Sequence, residues 1–310
     1  MNVLVTGATG YLGAEVVRAV LGNRHTVIAL VRDLEKATLL CDWCVEAQDR
    51  LRILAGDIRT LQHLPTDVDT LIHAAALRGP GECELRCTEA IETNIQGTLN
   101  LLRLSTCHGV KRFVYLSSQS VYGDQSPPWH EDALPNPRGV YALTKYAGEK
   151  LVHCFGDTLD WSVLRLSRLY GTSLFVRWSE IIGKFVQMAY NGQRIPVHGD
   201  GTQRFDFVHV ADAARCVVHL LDVHPEGWNE TYNIGGGRSV SLNELLETLT
   251  QLARESNWAT VSVEQHPEIP PSWPRHLELD ITRARTQLGW APRHSLREGL
   301  AEYLTTCPRL

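Results

Sequence analysis

The sequence predicts an α/β protein, a doubly wound parallel sheet joined to a smaller mixed α/β substrate domain. Three observations carry that prediction. Apolar runs without polar alternation recur through the first half, as strands covered on both faces require. Segments with apolar residues at helical spacing lie between them. A glycine-rich turn, Gly7-Ala8-Thr9-Gly10-Tyr11-Leu12-Gly13, follows the first run at once.

Val3–Thr6 reads as the first strand and Leu12–Leu21 as the first helix. Further strands are expected at Thr26–Val31, Leu51–Ala55, Thr70–Ala75, Arg112–Ser117 and Trp161–Leu166, with a helix over Glu89–His108 before the fifth. The second half is less regular. Ser241–Ala253 is a helix whose N-cap is Ser241, and Glu244 three residues on completes a capping box. Pro267–Pro274 is proline-rich and reads as a loop. The expected division is residues 1–170 as the nucleotide-binding unit, with a return to it at about 205–232. Residues 171–204 and 233–310 form the smaller substrate-binding unit.

The chain has 310 residues, a hydrophobic fraction of 44% and a net charge of −5. That charge gives no electrostatic case for nucleic acid. No run of about eighteen apolar residues calls for a membrane span, and no signal peptide is read, since Asn2-Val3-Leu4-Val5 serves as strand. The expectation is a cytoplasmic protein whose eight cysteines are reduced thiols. Cys41-x-x-Cys44 and Cys83-x-x-x-Cys87 have spacings seen in zinc half-sites, but helix and loop positions explain them as well, and no metal is expected.

A strand, three glycines and a helix make a phosphate cradle. Glycine permits the tight turn, and the helix N-terminus supplies free N–H groups and a positive dipole. Gly7, Thr9, Gly10, Tyr11, Leu12 and Gly13 are therefore expected to hold the pyrophosphate of a dinucleotide in a Rossmann-like fold. The second strand ends Val31-Arg32-Asp33, with Arg32 just past the place where an acid usually binds the adenosine ribose. A base there favours NADP over NAD, although Asp33 could serve the ribose if the strand runs one residue further. Asp57 and Ile58 would lie near the adenine.

Tyr141-Ala142-Leu143-Thr144-Lys145 sets a phenol and an ammonium one helical turn apart. Tyrosine normally loses its proton near pH 10, and a neighbouring cation favours the phenolate. Tyr141 can then exchange a hydroxyl proton while hydride moves at a nicotinamide.

These motifs, together with His73-Ala74-Ala75-Ala76 and Ser117-Ser118-Gln119-Ser120-Val121-Tyr122-Gly123, resemble the extended short-chain dehydrogenase/reductases. This is the NAD(P)-dependent epimerase/dehydratase family. The similarity runs on through Leu164–Leu166, Tyr170-Gly171, Gly199–Asp212, Tyr232–Gly237 and Leu279–Trp290, over nearly the whole chain. The resemblance implies Ser118, Tyr141 and Lys145 as catalytic residues. Ser118 would bond the reacting oxygen, and Lys145 would also hold the nicotinamide ribose. It adds Ala74, Ala75, Ala76, Asn94, Ser117 and Arg168 to the cofactor's surroundings. It also implies a homodimer built on the helices near Glu89–His108 and Tyr141–Phe155.

Substrate preference is read from departures. Family 4,6-dehydratases carry Asp-Glu where this chain has Gln119 and Ser120, and family decarboxylases tend to carry glutamate at the latter place. Neither residue here can act as an acid or base near neutrality. Sugar-nucleotide members often set an arginine directly before Asp206-Phe207, where Phe205 stands, with Arg204 one step off on the opposite strand face. Candidate substrate residues are Leu77, Gln119, Arg177, Trp178, Arg204, Phe205 and Trp273, with Phe205, Trp178 and Trp273 either lining an apolar pocket or filling the core. The first expectation is an NADP-preferring reductase or dehydrogenase acting on a small-molecule secondary alcohol or ketone. The alternative is a nucleotide-sugar 4-epimerase, in which Arg204, Arg177 or Arg275 takes the phosphate role. A cofactor-binding protein without turnover comes third.

Overall fold

Among the described residues, seven parallel strands form the main sheet: β1 (Asn2–Thr6), β2 (Thr26–Val31), β3 (Leu51–Ala55), β4 (Thr70–His73), β5 (Arg112–Ser118), β6 (Asp160–Leu166) and β10 (Glu230–Ile234). The structure is a computed structural model that describes residues 1–175, 180–222, 227–256, 258, 261–270 and 276–306. The strand order is β3-β2-β1-β4-β5-β6-β10, the doubly wound arrangement that the apolar runs predict. Val3 and Val5 of β1 face one core and Leu4 faces the other, which is why these strands carry no polar alternation.

Helices cover both faces. On the Val3–Val5 side α1 (Tyr11–Gly22) lies against α8 (Val210–Asp222). On the Leu4 side are α5 (Gly97–Cys107) and α6 (Gly139–Cys154), which supply Leu101, Leu102 and Val152. Between β2 and β3 lies α2 (Leu34–Trp43), capped by Asp33. The segment after β4 contains α3 (Pro80–Leu85) and α4 (Cys87–Ile91). The order reverses between β1 and β4, and the opening there, beyond the carboxyl ends of the strands, is the usual place for a ligand in such sheets.

Two smaller sheets make up the second unit. One has β9 (Arg204–His209) between β7 (Arg168–Tyr170) and β11 (Ser239–Ser241), and the other pairs β8 (Arg194–His198) with β12 (Ser262–His266). The remaining helices are α7 (Glu180–Tyr190), α9 (Leu242–Glu255), α10 (Thr282–Gln287) and α11 (Leu296–Thr306). The capping box opening α9 is present in full: Ser241 Oγ accepts from Glu244 N, and Glu244 accepts from Ser241 N. Gly171, just past β7, ties the units together. Its carbonyl accepts from Tyr11 Oη at 2.7 Å and Tyr303 Oη at 2.9 Å, and its N–H donates to Tyr303 Oη.

The expected helix over Glu89–His108 is interrupted. One π-helical turn, Glu92–Gln96, separates α4 from α5. The extra residue in that turn rotates Asn94 inward, where its side chain has partners on another element. The fourth strand ends at His73 rather than Ala75. The proline-rich stretch begins with a turn at residues 267–270, and the rest lies outside the described residues.

The glycine turn is closely fitted. Gly7 has φ 66°, and a Cβ on Gly13 would stand 1.9 Å from the Gly7 carbonyl oxygen. Nothing lies within 4 Å of a Cβ on Gly22, at the far end of α1. Gly13→Ala is therefore expected to lower the thermal midpoint and abolish the shift caused by a dinucleotide. Gly22→Ala should raise stability by up to about 1 kcal/mol. Differential scanning fluorimetry with and without NAD checks both.

Candidate active site

A cleft of about 610 Å³ opens at the reversal point of the sheet. Gly7, Thr9, Gly10, Tyr11, Leu12 and Gly13 line one end with Arg32, Asp57 and Ile58, and Ala74, Ala75, Ala76 and Leu77 form its middle. Ser117, Tyr141 and Lys145 close the other end. The structure thus gathers the sequence's two motifs, more than 120 residues apart, into one cavity.

The tight glycine cradle and the helix N-terminus behind it fit a pyrophosphate. At the adenosine end, the Arg32 guanidinium is largely exposed, with a carboxylate oxygen of Asp57 3.8 Å away. Arg59 hydrogen-bonds the same carboxylate and holds it below the usual range. Asp33 also lines the cleft while capping α2 through Glu35 N and Lys36 N. Lys36 and Arg78 line the cleft too and were not anticipated. The signal for Lys36 was available, since a residue three past a helix cap shares the cap's side of the helix.

At the other end, Tyr141 and Lys145 are held by α6. Lys145 is buried, with Nζ 4.1 Å from the Tyr115 ring centroid. Burial pushes its ammonium down to about 7, against the pull of the Glu149 carboxylate. Glu149 is itself buried and paired with Arg165 at 2.8 Å, and it accepts from Ser117 Oγ at 2.5 Å. Ser117 therefore turns its hydroxyl into the core, although the residue borders the cleft.

A run of hydrogen bonds joins β1 to α6 beneath the cleft. Ala75 N donates to Thr6 Oγ1 at 3.2 Å, and Thr6 Oγ1 lies 2.8 Å from His73 Nδ1. His73 Nε2 meets Thr98 Oγ1 at 2.9 Å, and that hydroxyl donates to Asn94 O at 2.7 Å. Since Thr98 spends its proton on Asn94, it accepts from His73, so the histidine proton sits on Nε2 and Nδ1 accepts from Thr6. Burial, and next the Lys145 charge, push His73 down to about 3, so it stays neutral. Asn94 then bonds Leu77 through both its N–H and its carbonyl, and donates to Thr144 Oγ1 at 3.0 Å. Thr144 Oγ1 donates to Tyr141 O. Asn94 is thus a brace rather than part of the cleft wall.

Ser118 ends β5 beside the cleft-lining Ser117 but is not itself among the lining residues, and its hydroxyl accepts from Ser120 N and Ser120 Oγ. Gln119 is buried. Other substrate candidates sit elsewhere. Phe205 is wholly buried between Phe207 and the Arg168 guanidinium, so it fills core and offers no pocket wall. Arg168 is accordingly placed on Phe205, not among the residues lining the cleft. Arg204 donates to Ser239 O at 2.6 Å and to Ser239 Oγ, and pairs with Glu244. Arg177, Trp178, Trp273 and Arg275 lie outside the described residues.

Among the described residues, one group of three potential metal ligands occurs: His209, His294 and Glu302. The two rings stack at 4.2 Å and 21°, and His209 Nδ1 already accepts from Ala211 N. Each ring is bonded to a carboxylate, His209 to Glu302 and His294 to Asp212, both at 3.0 Å. These pairs fasten α11 and the segment before it to β9 and α8. Cys41, Cys44, Cys83 and Cys87 are free thiols.

The model of the NAD dependent epimerase/dehydratase family matches residues 3–235. The chain belongs to this family. It is an enzyme of the epimerase/dehydratase type, and several of its structural neighbours are solved with NAD. It is 33% identical to a UDP-glucuronate 4-epimerase of Thermodesulfobacterium geofontis, over 96% of this chain and 93% of that one. It is 31% identical to a dTDP-glucose 4,6-dehydratase of Streptomyces griseus, over 97% and 92%. Its fold matches the UDP-glucuronic acid 4-epimerase of Bacillus cereus, solved with UDP-glucuronic acid and NAD, with a TM-score of 0.86, 28% identity and 98% of each chain covered. The expected preference for NADP is corrected by these neighbours. Asp33 gives a physical reason, because its carboxylate lines the cleft beside Arg32, where it suits a ribose hydroxyl and repels a 2′-phosphate. No described helix is long and apolar enough to cross a membrane.

Between about pH 7 and 10.5 the unfolded chain holds a proton on Lys145 that the folded one lacks. This group therefore makes stability rise with pH across that window. Lys145→Met is expected to show a smaller gain in unfolding free energy between pH 7 and 9.5 than the parent protein, measured by urea titration at both pH values.

Proposed function

We propose that this enzyme inverts a hydroxyl-bearing carbon of a nucleotide sugar by oxidation and re-reduction, as a 4-epimerase does, with tightly held NAD. The observation that carries the reading is Tyr141 and Lys145 at one end of a dinucleotide cleft, with Gln119 and Ser120 where elimination and decarboxylation would need carboxyl groups. The relatives, dominated by nucleotide-sugar enzymes, support it over the reductase of a simple alcohol or ketone. NAD, when bound, would take up and return the hydride. Tyr141 would accept the hydroxyl proton and later return it. Ser118 would donate a hydrogen bond to the reacting oxygen, and Lys145 would favour the phenolate and hold the nicotinamide ribose. Gly7, Gly10 and Gly13 would seat the pyrophosphate, and Asp33 would take the adenosine ribose.

A homodimer through α4–α5 and α6 is part of this proposal. Ile91 and Leu143 are exposed apolar residues on α4 and α6, and such residues on adjoining helices suit a packed interface.

Incubation with UDP-glucose, UDP-glucuronate, UDP-N-acetylglucosamine and dTDP-glucose, followed by NMR of the sugar, tests the reading. One of them is expected to convert to its epimer without added cofactor turnover. Tyr141→Phe should lower that rate by about 10²–10⁴-fold while keeping the NAD-induced thermal shift. Full turnover in Tyr141→Phe, or conversion of a free ketone but of no nucleotide sugar, overturns it.

A further inference from the structure

We infer that Ser120 is a positioning residue for the reaction, directing the Ser118 proton at the substrate oxygen. The inference rests on the epimerase reading and deepens it. A serine hydroxyl has two lone pairs and one proton. In this structure both lone pairs of Ser118 Oγ are engaged by the same neighbour: Ser120 N donates at 3.2 Å and Ser120 Oγ at 3.0 Å. Ser118 can then act only as a donor, and under the epimerase reading the acceptor of its proton is the substrate oxygen. The incoming hydrogen bonds also polarise it, since donors in a chain strengthen one another.

The geometry that achieves this is held at both ends. Ser118 caps the 3-10 turn Gln119–Tyr122 that follows β5. At the far end of the turn, Tyr122 is buried, stacked on Trp129, and donates to Asn233 at 2.7 Å. Ser120 O also accepts from Gly123 N at 3.2 Å. The Ser120 side chain is thereby aimed back at Ser118. Glutamate at position 120 would reverse the polarity of this link. A carboxylate has no proton to give, so it would draw the Ser118 proton to itself and away from the substrate. Serine at this position therefore serves a reaction that needs the substrate oxygen steadied and no group removed.

The test uses the full-length protein with NAD and whichever nucleotide sugar the parent enzyme converts. Ser120→Ala is expected to lower kcat by up to about tenfold, the worth of one hydrogen bond, with KM unchanged. Ser120→Thr, which keeps both donors, should return kcat to within about twofold of the parent. Ser120→Glu should fall below Ser120→Ala. The NAD-induced thermal shift of each variant shows whether it is folded. If the parent converts no nucleotide sugar, the epimerase reading fails. If the parent is active and Ser120→Ala matches it, or Ser120→Thr is as slow as Ser120→Ala, the inference about Ser120 is overturned.

Discussion

The line of hydrogen bonds from Thr6 through His73, Thr98, Asn94 and Thr144 to Tyr141 O sets the site on which the rest depends. It begins on the first strand, whose end enters the glycine turn, and finishes on the helix that carries the phenol and the ammonium. Each hydroxyl along it has a settled role as donor or acceptor. Removing one member would leave its neighbours buried without partners, which costs about 1–3 kcal/mol per group. The glycine turn and the helix bearing Tyr141 and Lys145 are thus held in a fixed relation by polar contacts under the cleft floor.

Charge is managed in the same place. Lys145, Glu149 and Arg165 are all buried, which is costly unless the charges are compensated. Glu149 and Arg165 compensate each other at hydrogen-bond distance, and Arg165 also donates to Tyr122 Oη. Lys145 has no carboxylate at contact and relies on the Tyr115 ring face and the distant Glu149, so its ammonium is easily lost. A cation so held responds to the charge of whatever enters the cleft, which suits the role proposed for it beside the Tyr141 phenol.

The fold was legible in the sequence because its signals are local and repeated. Continuous apolar strands, helical spacing between them and a glycine turn in the right place specify the main sheet. Much of the lining of the candidate site was legible too, since Gly7–Gly13 and Tyr141–Lys145 are short motifs on single elements. What escaped depends on contacts distant in sequence. The π turn at Glu92–Gln96 follows from what Asn94 meets on Leu77 and Thr144, and no periodicity in the helix itself announces it. That Asp57, just past the end of the neighbouring strand, lies 3.8 Å from Arg32 while held by Arg59 has no local signal either. Phe205 reads as a possible pocket wall until β7 brings Arg168 over its ring. The bonds from Ser120 to Ser118 depend on a turn whose far anchor is Asn233.

The meeting of Tyr11, Gly171 and Tyr303 at one peptide group also imposes an order in time. The glycine turn precedes both of its partners in the chain. Its neighbouring tyrosine finds its acceptor only when β7 has formed, and that acceptor is secured only when α11 arrives. Contacts of such long sequence separation form late, because loop closure must precede them. The glycine turn is therefore complete in its surroundings only when a segment as far on as Tyr303 has joined it. A chain halted before α11 would carry every glycine of the cradle and still lack the latch that holds it against the second unit.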